Sequence, residues 1–271
     1  MRKRILMFTL ASMLMFLCIS TSAQEIVVGH MDDADSIFFN SAHYDGLGIT
    51  SLDDIIDKLP GAERQDDGSI TVNGKHITRI LINGKQWFPE HEYVDLGLSV
   101  KWATCNVGAS KPYEYGEYYS WGETETKESY EPGNYKYANG GSAVNNKNTL
   151  DIENDVSHKK WGGNWRMPSK EEFDELIQNC TWTWTTQNDV NGFLVTSNKP
   201  GYTDRSIFLP AAGLRSLSEL RFSDNIGFYW TTTPSEHFAE SACFLYITSG
   251  FKSLYESAAR NQAHSVRPVC P

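Results

Sequence analysis

Apolar residues are spread unevenly along the chain, and their spacing changes from one segment to the next. Residues 5–19 are almost continuously apolar, preceded by Arg2, Lys3 and Arg4 and followed by the small residues Thr21, Ser22 and Ala23. A basic start, a short apolar stretch and small residues at its end predict a secretory leader over 1–23, with Gln24 as the mature start. The stretch is too short to cross a bilayer comfortably, and no later segment approaches the needed length. Helical spacing appears next, at Leu52, Ile55, Ile56 and Leu59. Ser51 is placed to cap that helix, Asp54 stands three residues on, and Pro60-Gly61 stops it. The pairs Asp67-Gly68, Asn73-Gly74 and Asn83-Gly84 then favour tight turns between runs at 69–72, 75–82 and 85–88. Residues 24–90 are therefore expected to form one unit, a helix followed by a small antiparallel meander.

Beyond a short junction at His91-Glu92, the pattern becomes one of strands with a single strong helix. Residues 93–103 alternate enough for one or two strands. Residues 138–148, rich in Asn and Gly, predict a long surface loop. Ser169 is an N-cap with Glu172 in position for a capping box, and Phe173, Leu176 and Ile177 form the inward stripe of the helix that follows. Short β-rich runs at 181–186, 192–196, 206–209, 227–232, 242–248 and 265–269 alternate with turns. The texture differs too: residues 24–90 hold one Trp and no Cys, whereas 91–271 hold the other seven Trp and four Cys. The expected fold class is α+β, with a leader at 1–23 and folded units at 24–90 and 91–271.

Two resemblances sharpen this division. Asp35-Ser36-Ile37-Phe38-Phe39-Asn40, then Leu59-Pro60-Gly61-Ala62, Ile70-Thr71-Val72-Asn73-Gly74-Lys75 and Ile80-Leu81-Ile82-Asn83-Gly84-Lys85 resemble, in that order, the plug domain of TonB-dependent outer-membrane receptors. A plug gates transport only inside a barrel of many long strands, and this chain continues into something else, so transport by this polypeptide alone is not expected. Residues 93–270 resemble the Fibrobacter succinogenes major paralogous domain, a family of C-type-lectin-like topology. The resemblance is carried by Asp95-Leu96-Gly97-Leu98-Ser99-Val100-Lys101-Trp102-Ala103, Tyr118-Tyr119-Ser120-Trp121-Gly122, Trp161-Gly162-Gly163-Asn164-Trp165-Arg166-Met167-Pro168-Ser169, Phe208-Leu209-Pro210-Ala211, Tyr229-Trp230-Thr231-Thr232 and Val266-Arg267-Pro268-Val269. It implies a domain of few helices, short antiparallel strands and long loops, and no assigned activity.

Charge narrows the partners. The formal net charge of −10 becomes −13 once the leader, with three basic and no acidic residues, is removed. An acidic chain without a basic run argues against nucleic acid and against anionic membrane surfaces. Cys105, Cys180, Cys243 and Cys270 remain in the mature chain. In an exported protein they allow two bridges in three connectivities, with buried free thiols as the alternative. A Cys105–Cys180 bridge is the expectation carried forward. There is no Cys-x-x-Cys for a zinc ribbon or a thioredoxin-like site.

Reactive constellations are scarce. The related formylglycine-generating enzymes use closely spaced cysteines to hold copper, whereas Cys243 and Cys270 stand 27 positions apart. The seven histidines include no pair one helical turn apart and are expected at the surface or at a junction. Glu171, Glu172, Asp174 and Glu175 fall in the first turns of a capped helix, where they complement its dipole. Glu123, Glu125 and Glu128 are expected to face water. Glu131-Pro132-Gly133-Asn134 approximates the calcium tripeptide of sugar-binding lectins but carries an inserted glycine. No cofactor and no metal ligands are expected.

The aromatic residues remain. Trp102, Trp161, Trp165 and Trp230 are expected in the core, with Arg166 and Arg267 as structural cations. Tyr118, Tyr119 and Trp121 are the candidate contact surface, because exposed aromatic rings offer area at low entropy cost. The expectation is an exported, non-catalytic binding or adhesion protein of a Gram-negative envelope, periplasmic, outer-membrane-associated or on the cell surface. Its partner is a glycan or an envelope protein, with a possible outer-membrane component reached through residues 24–90. The alternatives are an oxidase like the formylglycine-generating enzymes with an altered metal site, and an accessory to TonB-dependent transport.

Overall fold

The computed structural model describes residues 25–28, 37–40, 61–64, 70–72, 74–76, 80–82, 85–87, 91–138, 143–144 and 149–271. The chain divides into two units, Met1–Phe88 and Pro89–Pro271. Among the described residues, antiparallel strands dominate and there are two short α-helices. No described helix is long and apolar enough to cross a membrane.

In the first unit, β1 (Glu25–Val28), β2 (Ile37–Asn40), β6 (Ile80–Ile82) and β7 (Lys85–Trp87) form a sheet of order β2-β1-β6-β7. A second sheet contains β3 (Ala62–Arg64), β4 (Ile70–Val72) and β5 (Lys75–His76). Val72 faces Lys75 across the 73–74 pair, and Ile82 faces Lys85 across 83–84, which are the two-residue connections that Asn-Gly favours. The expected single meander is instead divided between two sheets, with β5 in one and β6 in the other. The helix expected over 52–59 lies outside the described residues.

In the second unit, β8 (Tyr93–Val94), β9 (Lys101–Ala103) and the closing strand β20 (Val269–Cys270) form one sheet, so the two ends of the unit are paired. The strand expected at 265–269 does not form as one element: β19 (Ala263–His264) precedes it and β20 takes only its last residue, with fully buried Arg267 between the two. Helix α1 (Val156–Trp161) was not expected from the pattern. Asp155 caps it, accepting from the backbone N–H of Ser157 at 2.9 Å and of His158, and also accepts from Met167 N–H at 2.7 Å. Burial pushes the Asp155 carboxyl up to about 6, against the three N–H donors that favour its ionised form.

Helix α2 (Lys170–Asn179) forms as its spacing requires, with the full Ser169/Glu172 capping box. Glu172 also receives both Nη groups of Arg166, at 2.7 and 2.5 Å, so one carboxylate fastens the cap and the preceding turn. The cap contributes about 1 kcal/mol. Phe173 and Leu176, both fully buried, contribute roughly 1.5–3 kcal/mol each, so burial of the stripe decides this helix.

A sheet of β11 (Cys180–Gln187), β12 (Val190–Ser197) and β13 (Ser206–Pro210) follows α2. Strand β10 (Tyr119–Ser120) pairs with β19, which leads to β14 (Leu214–Ser216) and β15 (Glu219–Arg221). The central element is the sheet of β16 (Ile226–Pro234), β17 (Ser241–Thr248) and β18 (Phe251–Ala259). Its register sorts residues by type. Tyr229, Leu245, Ile247 and Leu254 point to a core shared with Phe173, Leu176, Val195 and Leu209. Phe228, Trp230 and Phe244 point the other way, to a core shared with Tyr119, Trp121, Leu214 and Val266. The sheet divides two cores, and both of its faces are apolar.

Candidate binding face on the central sheet

The tyrosine-rich segment is not the contact surface it was expected to be. Tyr118, Tyr119 and Trp121 are 7%, 0% and 0% exposed. Tyr118 Oη donates to the Ala212 carbonyl at 2.5 Å and Trp121 Nε1 to the Thr231 carbonyl at 2.7 Å, while Tyr119 Oη is held by the Glu117 carboxylate. Tyr130 and Tyr135 likewise donate to the carbonyls of Tyr118 and Trp121. A long irregular segment leaves backbone carbonyls without ladder partners, and buried ones must be satisfied. The phenols do this, and burial lifts the Tyr118 and Tyr119 hydroxyls above their ordinary titration range.

Other expectations are corrected as well. Cys105, Cys180, Cys243 and Cys270 are all free thiols, so the Cys105–Cys180 bridge is not formed. Cys180 opens β11 opposite Ser197 and packs in the core beside α2, whereas Cys105 lies in the loop after β9 beside Thr104. Burial pushes the Cys180 and Cys243 thiols up to about 11 and also raises Cys270, which disfavours the thiolates a copper site needs. Cys243 lies on β17 with Sγ toward the Pro234 carbonyl, and Cys270 lies on β20 opposite Lys101. Among the described residues no group of three or more His, Cys, Asp or Glu side chains converges. Glu123 does not face water: it is buried, pairs with Lys127 and accepts from Lys136 N–H at 2.6 Å. The Asn134 amide is used inside its own loop, donating to the Ser129 carbonyl.

Two histidines expected at the surface or junction are built into the fold. His91 stacks on Trp161 at 3.7 Å, and burial pulls it down to about 4. His264 is fully buried, stacked at 3.8 Å on Trp230 and flanked by Phe228 and Phe244 at 5.3 and 5.4 Å. Neither of its ring nitrogens has a hydrogen-bond partner, and burial pulls its titration down to about 3.

Above this buried pair the aromatic cluster continues to the surface. On one face of β16–β18 the register places Ile226, Phe228 and Trp230 beside Thr248, Tyr246 and Phe244, and these beside Phe251, Ser253 and Tyr255. The rings touch in series. Phe228 stacks on Phe244 at 5.9 Å and meets Tyr246 edge-on at 5.4 Å, and Tyr246 contacts Tyr255 at 5.7 Å and Phe251 at 6.4 Å. Phe222, from the turn after β15, leans on Phe228 at 6.3 Å. The core covers the inner rings and stops there, leaving Phe222, Phe251 and Tyr255 52%, 49% and 41% exposed. Phe222 holds a positive φ of 63°, which a bulky residue adopts at a cost of roughly 1–3 kcal/mol. Gly213 makes the approach of this turn possible: a Cβ there would lie 2.2 Å from the Arg221 carbonyl oxygen.

The β16–β18 positions on this side carry no charged side chain, and the exposed pair Arg221–Glu219 stands beside Phe222 at its rim. On β18 the charged side chains Lys252 and Glu256 alternate to the opposite side, where Lys252 lies over the Trp182 ring and Glu256 pairs with Lys170 at 2.5 Å. The Tyr246 and Tyr255 hydroxyls remain outside the intramolecular hydrogen bonds of the described residues. Pattern reasoning missed this site, although the signal was present. Phe244-Leu245-Tyr246-Ile247 alternates aromatic and aliphatic residues, which marks a strand with two apolar faces. Such a strand is buried on both sides or is covered by something else.

Comparison with family models, with curated proteins and with solved structures finds no match to this chain.

Proposed function

We propose that this protein is an exported, non-catalytic binding or adhesion module of a Gram-negative cell envelope that takes its ligand on the aromatic face of β16–β18. One observation carries the reading: Phe222, Phe251 and Tyr255 hold large exposed rings at the rim of the β16–β18 face, joined to the core through Phe228 and Tyr246. Contiguous exposed apolar patches of this kind mark interaction sites, and rigid aromatic anchors dominate binding energy. The leader-like start supports export. The resemblance of 93–270 to the Fibrobacter succinogenes major paralogous domain, with its C-type-lectin-like topology, supports a recognition role. The plug-like pattern of 24–90 supports attachment to an outer-membrane component.

The test compares the mature wild-type chain with a Phe251→Ala/Tyr255→Ala double variant on purified outer membranes, peptidoglycan and exopolysaccharide. Truncating two exposed anchors is expected to weaken retention on at least one fraction by about 10-fold or more, at ~1 kcal/mol or more per ring, with the unfolding midpoint little changed. Equal retention of both proteins on every fraction contradicts the assignment.

A further inference from the structure

We infer that β11 pairs edge to edge with the β11 of a second copy of the chain, antiparallel about a twofold axis at Thr183. This strand is the outer member of the sheet β11-β12-β13, and its ladder to β12 runs unbroken from Cys180 opposite Ser197 to Gln187 opposite Val190. An outer strand turns alternate backbone N–H and C=O groups away from its neighbour, where they template a further strand. Among the described residues, no backbone bond beyond the sheet engages 181–187. Proteins usually blunt such an edge with charge, proline, a bulge or a short run. Two other outer strands show these devices. Strand β15 is three residues long and carries Glu219 and Arg221, and β18 carries Lys252 and Glu256 and meets β17 with a register break between Ala242 and Phe244. The eight residues of β11, Cys-Thr-Trp-Thr-Trp-Thr-Thr-Gln, include none of them.

The order of residues along the strand selects the occupant. Thr181-Trp182-Thr183-Trp184-Thr185 reads alike in both directions. An antiparallel pair about Thr183 therefore sets each residue opposite its own kind: Thr183 opposite Thr183, Trp182 opposite Trp184 and Thr181 opposite Thr185. A twofold contact requires such self-complementarity, since one patch must fit itself. Facing threonines and facing aromatics are both favourable cross-strand pairs. On one face Thr181 and Thr183 are exposed. Thr181 and Thr186 bond Asn198 and Asn191 at 2.8 and 2.7 Å, whereas the Thr183 hydroxyl lies outside the intramolecular hydrogen bonds of the described residues. On the other face Trp182 and Trp184 both rest on Phe193, at 5.4 and 5.1 Å, and stay only part-buried. A foreign strand gains the same backbone bonds but nothing from the palindrome, so the edge favours a second copy.

The experiment is sedimentation velocity of the full mature chain over a ~100-fold range of concentration, with amide hydrogen exchange followed at both ends of the range. Wild type is compared with Thr183→Lys, with Thr183→Glu and with an equal mixture of the two. Like charges facing each other across the twofold oppose pairing, and opposite charges restore it. The expected result is a monomer that becomes a dimer as concentration rises, with the amides of 181–185 exchanging at least ~10-fold more slowly in the dimer. Each variant alone is expected to raise the dimer dissociation constant at least ~10-fold and to keep its unfolding midpoint, because Thr183 is exposed. The mixture is expected to regain the dimer. A wild type that stays monomeric throughout overturns the inference. So does a dimer whose 181–185 amides exchange as freely as in the monomer. Variants that dimerise like wild type, or that lose the dimer without recovering it when mixed, place the contact elsewhere and overturn it as well. If a variant's midpoint falls, the exchange comparison on wild type alone decides.

Discussion

Replacing Arg267 by Met is expected to destabilise residues 89–271 by about 3–5 kcal/mol, a large part of the ~5–15 kcal/mol that holds an ordinary domain together. Arg267 is fully buried, and its partners among the described residues are neutral oxygens. Its Nε donates to Asn106 Oδ1 at 2.9 Å, Nη1 to the carbonyls of Ala103 and Thr104 at 3.1 and 3.0 Å, and Nη2 to the Phe208 carbonyl at 2.9 Å. One planar fork thus satisfies acceptors from β9, the loop after it and β13, from a position between β19 and β20. Burial pulls the guanidinium below its ordinary value without bringing it near neutrality. Methionine has similar reach but leaves each acceptor buried without a donor, at roughly 1–3 kcal/mol for every one not rehydrated. Lysine carries its donors on one nitrogen and cannot span the same positions, so Arg267→Lys is expected to lose nearly as much. Urea unfolding followed by tryptophan fluorescence measures both; midpoints close to wild type would show that the fork is dispensable.

His264 is expected to make the protein sensitive to mild acid. Its folded-state titration lies near 3 and the unfolded value near 6.5, so the unfolded chain takes up the proton first as pH falls. The contribution of the neutral ring is therefore fully present above pH ~6.5 and is lost progressively below it. At pH ~5 the loss is about 2 kcal/mol, at ~1.4 kcal/mol per unit. His91, pulled down to about 4, acts in the same direction, whereas Asp155, pushed up to about 6, acts in the opposite one between ~6 and ~3.8. Both are present in a His264→Phe variant and cancel in the comparison. Wild type should lose about 2 kcal/mol more than the variant between pH ~7 and ~5, measured by urea unfolding at each pH. Parallel losses in the two proteins would mean that the imidazole reaches a proton acceptor or water in the folded state.

Local chemistry was legible in the sequence wherever the signal lay within a few residues. The Ser169/Glu172 box and the Phe173, Leu176 and Ile177 stripe specify α2, and β-branched and aromatic runs mark β11, β12, β13, β16 and β17. Arg166 and Arg267 were expected to be structural cations because guanidinium beside Trp and Pro is usually so, and their hydrogen bonds agree. Long-range pairing was not legible. Tyr118 and Trp121 look like surface aromatics until their acceptors, 94 and 110 positions away, are brought to them. Strand β18 was missed because Lys252, Ser253, Glu256 and Ser257 give it a polar look, although alternation sends its charges to one side and Phe251 and Tyr255 to the other. His264 is unremarkable in a string of letters, and only the closing pairing of β19 with β10 puts it between Trp230 and the phenylalanines.

The central claim is that binding occurs on the aromatic face of β16–β18 and not at the tyrosine-rich segment. Covalent footprinting of the mature protein, free and with the envelope fraction that retains it, tests this most directly. The account predicts labelling of Phe222, Tyr246, Phe251 and Tyr255 in the free protein and their protection in the complex, with Tyr118, Tyr119 and Trp121 unlabelled in both. Protection elsewhere with these four still labelled, or ready labelling of Tyr119 and Trp121 in the free protein, would contradict it.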